Sequence, residues 1–284
     1  MASAKSLQRA GCVVTVHGYH RERPTNLPDS VLYRDAREVV PESVFRLFAS
    51  FAQKPAWHRC QFADYFRITL LARHGCGSGG MAWSDSDNLV MPGRTGAIAF
   101  RPDDRGLVLA SCPQKLLGTH APTRKECAVA ASARPKEWTD HPDGRAHFIN
   151  SWIQVEHAKH PVIMEAKKRY DALVKAGGKF PRRNTLMHVL RDVVAELGYG
   201  PSIRPPMTFS GIPWFGGPLK RLWTGDAETK PTCFGWKVPT PKEMEETAWC
   251  VQTHTSKGLD ASTTESLTKM DGWIPKRILA ELTD

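Results

Sequence analysis

The most suggestive chemical signature in this sequence is a glycine-rich stretch, RHGCGSGGMAW, at residues 73–83. Gly75, Gly77 and Gly80 have the G-x-G-x-x-G spacing of a loop whose backbone amides bind the pyrophosphate of a dinucleotide. In an enzyme of that kind, Asp103 would be the candidate that contacts the ribose. Such a loop must leave a strand and begin a helix. The elements on either side of the glycines therefore decide between a phosphate-binding loop and a connector.

The flanking segments predict the wrong order of elements for a dinucleotide-binding loop. Before the glycines, QFADYFRITLLARHG spaces its apolar residues at intervals of three and four, which is typical of a helix. Arg73 and His74 would lie in its last turn, and Gly75 stands where a helix commonly ends. After the glycines, SDSDNLVMPGRTG contains Pro92 and has no helical period. The sequence favours a helix stop, and a nucleotide-dependent or redox enzyme is the alternative.

Two imidazoles and two thiols form the best candidate set of metal ligands. His58 and Cys60 make one H-x-C pair, and His74 and Cys76 repeat it 16 residues later. Zinc accepts these ligand types. Residues two apart share a face of a strand but not of a helix, and the segment between the pairs has a helical pattern. The spacing therefore favours ordinary packing, and we predict neither a metal nor another cofactor.

The remaining patterns match no catalytic signature. His17 and His20, like His157 and His160, are three residues apart, but neither pair belongs to an H-E-x-x-H motif. The sequence contains neither G-x-S-x-G nor G-x-x-x-x-G-K-[ST]. These absences favour a protein without catalytic activity.

Positive charge concentrates in KKRYDALVKAGGKFPRR, within a chain of formal net charge +10. Such a cluster can neutralise RNA phosphates or anionic lipid headgroups. A helix with one solvated face explains the same residues without any partner. The candidate residues of this anion-binding cluster are Lys167, Lys168, Arg169, Lys175, Lys179, Arg182 and Arg183.

Residues 199–240 combine many prolines with large aromatic side chains. The prolines disfavour regular helices and strands, yet the aromatic residues are too apolar to remain in water. We interpret this segment as an extended strap that anchors on a neighbouring protein. Its candidate anchors are Trp214, Phe215, Trp223, Phe234 and Trp236.

The elements that position these residues form a mixed α+β fold that is mainly helical. From Pro41, a short helix is expected to bury Val44, Leu47, Phe48 and Phe51. A helical hairpin follows in the centre of the chain, from Pro161 to Gly177 and from Asn184 to Gly198. Its expected interior residues are Val162, Met164, Ala166, Tyr170, Leu173, Val174, Leu186, Val189, Leu190, Val193 and Leu197.

Short strands and further helices complete the predicted fold. Residues 12–40 indicate short strands and turns, and GAIAF and GLVLA indicate a β-hairpin in which Asp103 and Asp104 occupy the turn. A capping box at Thr240 predicts a helix over KEMEETAWCVQ, and two shorter helices are expected over 263–270 and 275–282. The predicted regions are an N-terminal α+β region with a glycine-rich connector (1–118), a linker (119–148), a basic helical hairpin (149–198), the strap (199–240) and C-terminal helices (241–284).

Composition restricts the class of protein. No apolar run approaches the roughly 18 to 20 residues that span a bilayer. The 7 cysteines contain no C-x-x-C pair, which indicates reduced thiols. The first 21 residues are basic and contain no acid, a composition typical of a mitochondrial targeting segment or of an ordinary basic arm.

We therefore expect a non-catalytic accessory subunit of a large multiprotein assembly. The favoured location is mitochondrial, peripheral to the inner membrane, in an energy-transducing complex such as ATP synthase or a respiratory complex. A ribosomal protein that contacts mitochondrial RNA is the alternative, although a net charge of +10 is modest for that role. The expected partners are protein subunits, with anionic lipid headgroups or RNA at the basic cluster. The alternative compartment is cytoplasmic.

Overall fold

A computed structural model describes a little over half of the chain. The described residues are 2–51, 55–73, 80–86, 88–96, 98–111, 148–178, 180, 185–199, 203–204, 242, 245–246, 249–252, 264–271 and 273–282. Within them the fold is mixed α+β and mainly helical, as the sequence predicts. The five aromatic candidates of the strap lie outside the described residues, as does most of the predicted linker.

Seven α-helices and eight strands occur in the described part of the chain. The helices are α1 (Ala2–Arg9), α2 (Glu42–Phe51), α3 (Pro55–Arg73), α4 (Pro161–Lys175), α5 (Thr185–Glu196), α6 (Thr264–Thr268) and α7 (Trp273–Leu282). The strands are β1 (Thr15–Gly18), β2 (Leu32–Asp35), β3 (Met81–Ser84), β4 (Asn88–Val90), β5 (Leu107–Ser111), β6 (Phe148–Val155), β7 (Ile203–Arg204) and β8 (Cys250–Gln252).

The main core lies between helices α2 to α5 and one face of a four-stranded sheet. Phe48 of α2 is fully buried, and its ring packs at 5.7 Å from Phe62 of α3 and at 5.5 Å from Phe180. Tyr170 of α4 is also fully buried, and its hydroxyl donates to the backbone carbonyl of Gln61. The predicted helical hairpin is confirmed, because α4 and α5 pack against each other and against α3.

Three predicted interior residues are wrong. Leu47 of α2, Met164 of α4 and Leu197 just after α5 are each 41% exposed. Each lies at the edge of its apolar stripe, whereas the centre of the stripe faces the core. A period of 3.6 residues identifies the buried face of a helix, but only the neighbouring elements decide how wide that face is.

The four-stranded sheet has the order β3-β6-β5-β7. Strand β6 runs antiparallel to β3 and β5, and β7 runs parallel to β5. The predicted hairpin of GAIAF with GLVLA is wrong, because residues 98–100 form no strand and β5 pairs with β6 instead. The side-chain amide of Gln154 donates to the carbonyl of Ile98 at 2.7 Å, which holds that segment outside the ladder.

The N-terminal and C-terminal segments share a smaller core. Helix α1 packs beside β4, and the amide of Val90 donates to the hydroxyl of Ser6 at 3.1 Å. Ala2 belongs to an apolar cluster with Leu267 and Ile274. Of the first 21 residues, which were expected to form a targeting segment or a basic arm, residues 2–9 therefore form a helix that packs into the fold and residues 15–18 form β1.

The helix predicted over KEMEETAWCVQ is wrong at its carboxyl end. Residues 250–252 form β8, which pairs antiparallel with β4. Trp249 packs against Trp152 of β6 with ring centroids 4.6 Å apart, so this segment joins the main sheet through an aromatic contact. The two short helices after it, α6 and α7, confirm the predictions for 263–270 and 275–282.

Candidate anion-binding groove

A groove of about 390 Å³ lies between the carboxyl end of α3 and an exposed face of α4. Among the described residues, four cationic side chains and one carboxylate line it, together with two apolar residues. The lining residues are Ala72, Arg73, Lys159, Met164, Lys167, Lys168 and Asp171. Two members of the predicted basic cluster, Lys167 and Lys168, are therefore brought together with two cations from elsewhere in the chain.

The face that α4 presents to the groove is set by helical spacing. Met164, Lys167, Lys168 and Asp171 follow the i, i+3, i+4, i+7 pattern that places side chains on one side of a helix. The opposite side carries Val162, Ile163, Ala166 and Tyr170, which are completely buried in the core. Burial of that side orients the lysines toward the groove.

Arg73 is held at the edge of the groove by backbone carbonyls. One guanidinium nitrogen donates to the carbonyl of Val39 at 2.7 Å and to that of Glu38 at 3.3 Å. A cation in the last turn of α3 also complements the partial negative charge at the carboxyl end of the helix. Arg73 therefore has a fixed position although its side chain is exposed.

Lys159 reaches the groove from the turn between β6 and α4. Its φ angle is 58°, in the left-handed region that residues other than glycine seldom occupy. The lysine is exposed, and no hydrogen bond or ion pair of its ammonium group occurs among the residues described. It is thus a cation without a protein partner in the described structure.

His160 fixes the turn that carries Lys159. Its Nδ1 accepts a hydrogen bond from the amide of Val162 at 3.3 Å, which caps α4, and its Nε2 lies 3.1 Å from the carbonyl of Arg105. The ring packs edge-on against Tyr199, with centroids 5.1 Å apart. These contacts require a neutral ring with the proton on Nε2, because Nδ1 must accept.

Protonation of His160 should destabilise the protein at low pH. Burial lowers the pKa of its imidazole below the ordinary 6.5, as do the nearby charges of Arg105 and His157. As pH falls below 6.5, the unfolded chain binds a proton that the folded chain does not, so stability falls. We expect a loss of at most about 1.4 kcal/mol between pH 7.5 and 5.5, because one proton contributes about that much for each pH unit below the ordinary pKa of 6.5.

To test this prediction, the free energy of unfolding in urea is compared between the wild type and His160→Asn at pH 7.5 and at pH 5.5. Asparagine preserves a helix cap but does not titrate. Other groups titrate in both proteins and cancel in the difference. Equal pH dependence of the two proteins would contradict the assignment of a neutral, capping His160.

Of the other described members of the basic cluster, Arg169 and Lys175 do not line the groove. Arg169 pairs with Glu165 at 3.0 Å and donates to Glu196 of α5, so it ties the two helices of the hairpin together. Hydrogen bonds from Arg169 lower the pKa of Glu196. Lys175 is exposed at the end of α4. Lys179, Arg182 and Arg183 lie outside the described residues.

The glycine-rich stretch is preceded by a helix and followed by a strand. Helix α3 ends at Arg73 and β3 begins at Met81, the reverse of the order that a dinucleotide-binding loop needs. Residues 74–79 themselves are outside the described part. Asp103 and Asp104 occupy a 3₁₀ turn, where Asp104 accepts from the amide of Arg101, so their predicted role in a turn is confirmed.

The candidate metal ligands are not brought together in the described structure. His58 and Cys60 lie on α3, where residues two apart point in different directions. His74 and Cys76 fall outside the described residues. Among the residues that are described, no three His, Cys, Asp or Glu side chains are grouped as a metal site.

A separate charged cluster is buried inside the core. Arg67 of α3 lies 3.6 Å from Asp64 and 3.3 Å from Asp85, with its guanidinium 5.0 Å from the ring centre of Trp83. Burial raises the pKa of Asp64 to about 7, although Arg67 and the amide of Leu186 oppose that change. Because Asp64 and Arg67 are both buried, this pair lies inside the packing of α3 and is not an accessible site.

Sequence reasoning found the α4 lysines but missed Arg73 and Lys159 as members of the groove. A cation in the last turn of α3 was visible, yet nothing local placed it opposite α4. Lys159 has no sequence signal, because its position depends on the turn that His160 caps.

Comparison with known proteins gave no match at any of three levels, namely family models, curated sequences and solved structures. In the described part of the chain, every helix is too short or too polar to cross a bilayer.

Proposed function

We propose that this chain is a non-catalytic accessory subunit of a larger multiprotein assembly, and that its basic groove binds an anionic partner there. The observation that carries the proposal is the groove itself. One carboxylate is surrounded there by cations from α3, from the turn before α4 and from α4 itself. One of these cations, Lys159, has no partner within the described residues. Surfaces of one sign favour binding of the opposite charge.

Binding is better supported than catalysis at this groove. Lys167 pairs with Asp171 at 2.6 Å and Lys168 with Glu165 at 3.1 Å, so the acidic groups beside the groove are engaged in ion pairs. None of the described residues that line the groove carries an imidazole or a thiol, the groups that most often serve as general base and as nucleophile. The order of helix and strand around the glycines further weakens the alternative of a nucleotide-dependent enzyme.

The proposed setting is a mitochondrial complex peripheral to the inner membrane. The aromatic strap of residues 199–240 supports an assembly role on sequence grounds, because its tryptophans need shelter from water. The modest net charge of +10 favours this setting over ribosomal RNA.

Native purification of the tagged full-length chain, followed by mass spectrometry, tests the assembly role. We expect a constant set of other subunits to copurify with the wild type. The double variant Trp214→Ala/Trp236→Ala should lose them, whereas the control Leu47→Ala, at an exposed apolar residue outside the strap, should retain them. Recovery of the wild type as a lone monomer would overturn the proposal.

A further inference from the structure

We infer that the groove between α3 and α4 binds the phosphate headgroup of an anionic phospholipid. The inference deepens the proposed function and rests on it, since a peripheral subunit would meet such a lipid at the membrane surface. The groove requires two properties of its ligand: negatively charged phosphate oxygens and an apolar part next to them.

The first requirement follows from the charges that line the groove. Arg73, Lys159, Lys167 and Lys168 face one carboxylate, Asp171, so the lining has an excess of three positive charges. Lysine ammonium groups and arginine guanidinium groups bind phosphate oxygens through charge-assisted hydrogen bonds. A phosphate-bearing ligand therefore complements the groove better than a neutral or cationic one.

Not all of these cations are equally available to a ligand. Lys167 is partly buried in its ion pair with Asp171 at 2.6 Å. Arg73 already donates hydrogen bonds to two backbone carbonyls. The pair of Lys168 with Glu165 is different, because the lysine side chain is 78% exposed and such pairs contribute little. Lys159 and Lys168 are thus the cations that a phosphate can engage at the lowest cost.

The second requirement follows from Met164. This methionine is 41% exposed at the N-terminal end of the lysine face, and it lines the groove together with Ala72. The alkyl stems of Lys167 and Lys168 extend the apolar surface, as lysine side chains commonly do. A glycerol backbone and the first carbons of an acyl chain would cover Met164, whereas a free phosphate would leave it in water.

A lipid also fits better than single-stranded RNA. Proteins that bind single-stranded nucleic acid usually stack bases on aromatic side chains. No aromatic side chain is among the described residues that line the groove. Competition with a single-stranded RNA therefore distinguishes the two ligands.

Cosedimentation of the full-length protein with vesicles tests the inference. The vesicles contain phosphatidylcholine alone, or phosphatidylcholine with a minor fraction of cardiolipin. We expect binding only to the anionic vesicles, and a loss of affinity of about tenfold or more in Lys159→Gln/Lys168→Gln, since each cation near such a surface contributes several-fold. Both residues are exposed, so the variant should fold, as checked by thermal unfolding.

The matched control is Lys269→Gln/Lys276→Gln, which removes the same charge from two exposed lysines, one just after α6 and one in α7. It should retain affinity within about twofold. A third variant, Met164→Gln, should weaken binding to vesicles without altering charge. Equal losses in the groove variant and the control would overturn the inference, because binding would then be diffuse.

Competition identifies the source of the phosphate. Soluble glycerol phosphate and a single-stranded RNA should each fail to displace the protein from anionic vesicles at matched phosphate concentration. Displacement by either ligand in a manner that depends on Lys159 and Lys168 would assign the groove to that ligand and overturn the lipid inference. Copurification of subunits with failure of vesicle binding would reject this inference while leaving the proposed function intact.

Discussion

Replacing Arg67 with methionine should lower the free energy of unfolding by about 3 to 5 kcal/mol, the usual cost of breaking a buried ion pair by removing one partner. The guanidinium lies between Asp64 and Asp85, and its side chain is only 7% exposed. Without it, Asp64 loses its nearest positive charge, so that its carboxyl group either stays charged and unpaired or is driven to bind a proton, and Asp85 loses its ion pair. Methionine fills a similar volume, so the loss reports charge and not a cavity.

The measurement is urea unfolding at pH 7, with Arg46→Met as the matched control. Arg46 forms an exposed ion pair with Glu42 at 3.2 Å on α2, and its loss should cost less than about 0.5 kcal/mol. Adding Asp64→Asn to Arg67→Met should restore part of the stability by removing the unpaired charge. Equal effects of the two arginine variants would show that the buried cluster contributes no more than a surface pair.

The same variant should show a distinct pH dependence. The pKa of Asp64 is about 7 in the folded protein, against an ordinary 3.8, so its burial costs stability progressively as pH rises from about 4 to 7. Removing Arg67 raises that pKa further, and the damage should be larger at pH 8 than at pH 5. A pH-independent loss would contradict the explanation by charge.

Replacing Phe48 with alanine should also lower the free energy of unfolding by about 3 to 5 kcal/mol, the typical cost of a large cavity in a core. Phe48 is completely buried, and its ring contacts aromatic rings from α2, from α3 and from the segment after α4. Few neighbours can move to fill the space, because α2 is held between α3 and Phe180.

The control is the adjacent residue of the same helix. Leu47 is 41% exposed, and Leu47→Ala should cost less than about 1 kcal/mol. Both variants are compared by urea unfolding at the same pH. Similar losses at the two positions would mean that α2 buries a wider face than the structure assigns to it.

Helical elements of this fold were largely predictable from the sequence, and the reason is local. Helices α2, α4 and α5 each bury a stripe of apolar residues that repeats with the helical period, and prolines or glycines stand near their ends. Gly178, for example, follows the end of α4 with a φ of 67°, which a glycine adopts without strain.

The strands were less predictable, because their partners are distant in the chain. Strand β6 was missed, since Trp152, Ile153, Gln154 and Val155 are all buried and therefore show no alternation of polar and apolar residues. Strand β8 has three residues and pairs with β4, which lies far upstream. Neither pairing leaves a local pattern.

The groove was predictable only in part for the same reason. Lys167 and Lys168 were identified because they belong to a run of basic residues that are close together in the sequence. Their meeting with Arg73 and Lys159 depends on the angle between α3 and α4 and on the turn before α4. Convergence of residues from separate elements is a tertiary property.

Because α1 packs against α7, folding of the first helix can be completed only after the last helix has been synthesised. Ala2 is buried among Leu267, Ile274 and Ile278, which leave the ribosome long after it. Until then the first helix has no apolar surface from α7 to cover it. The smaller core therefore closes only after residue 278 has emerged, and a chain stalled earlier would expose both of its ends to proteolysis.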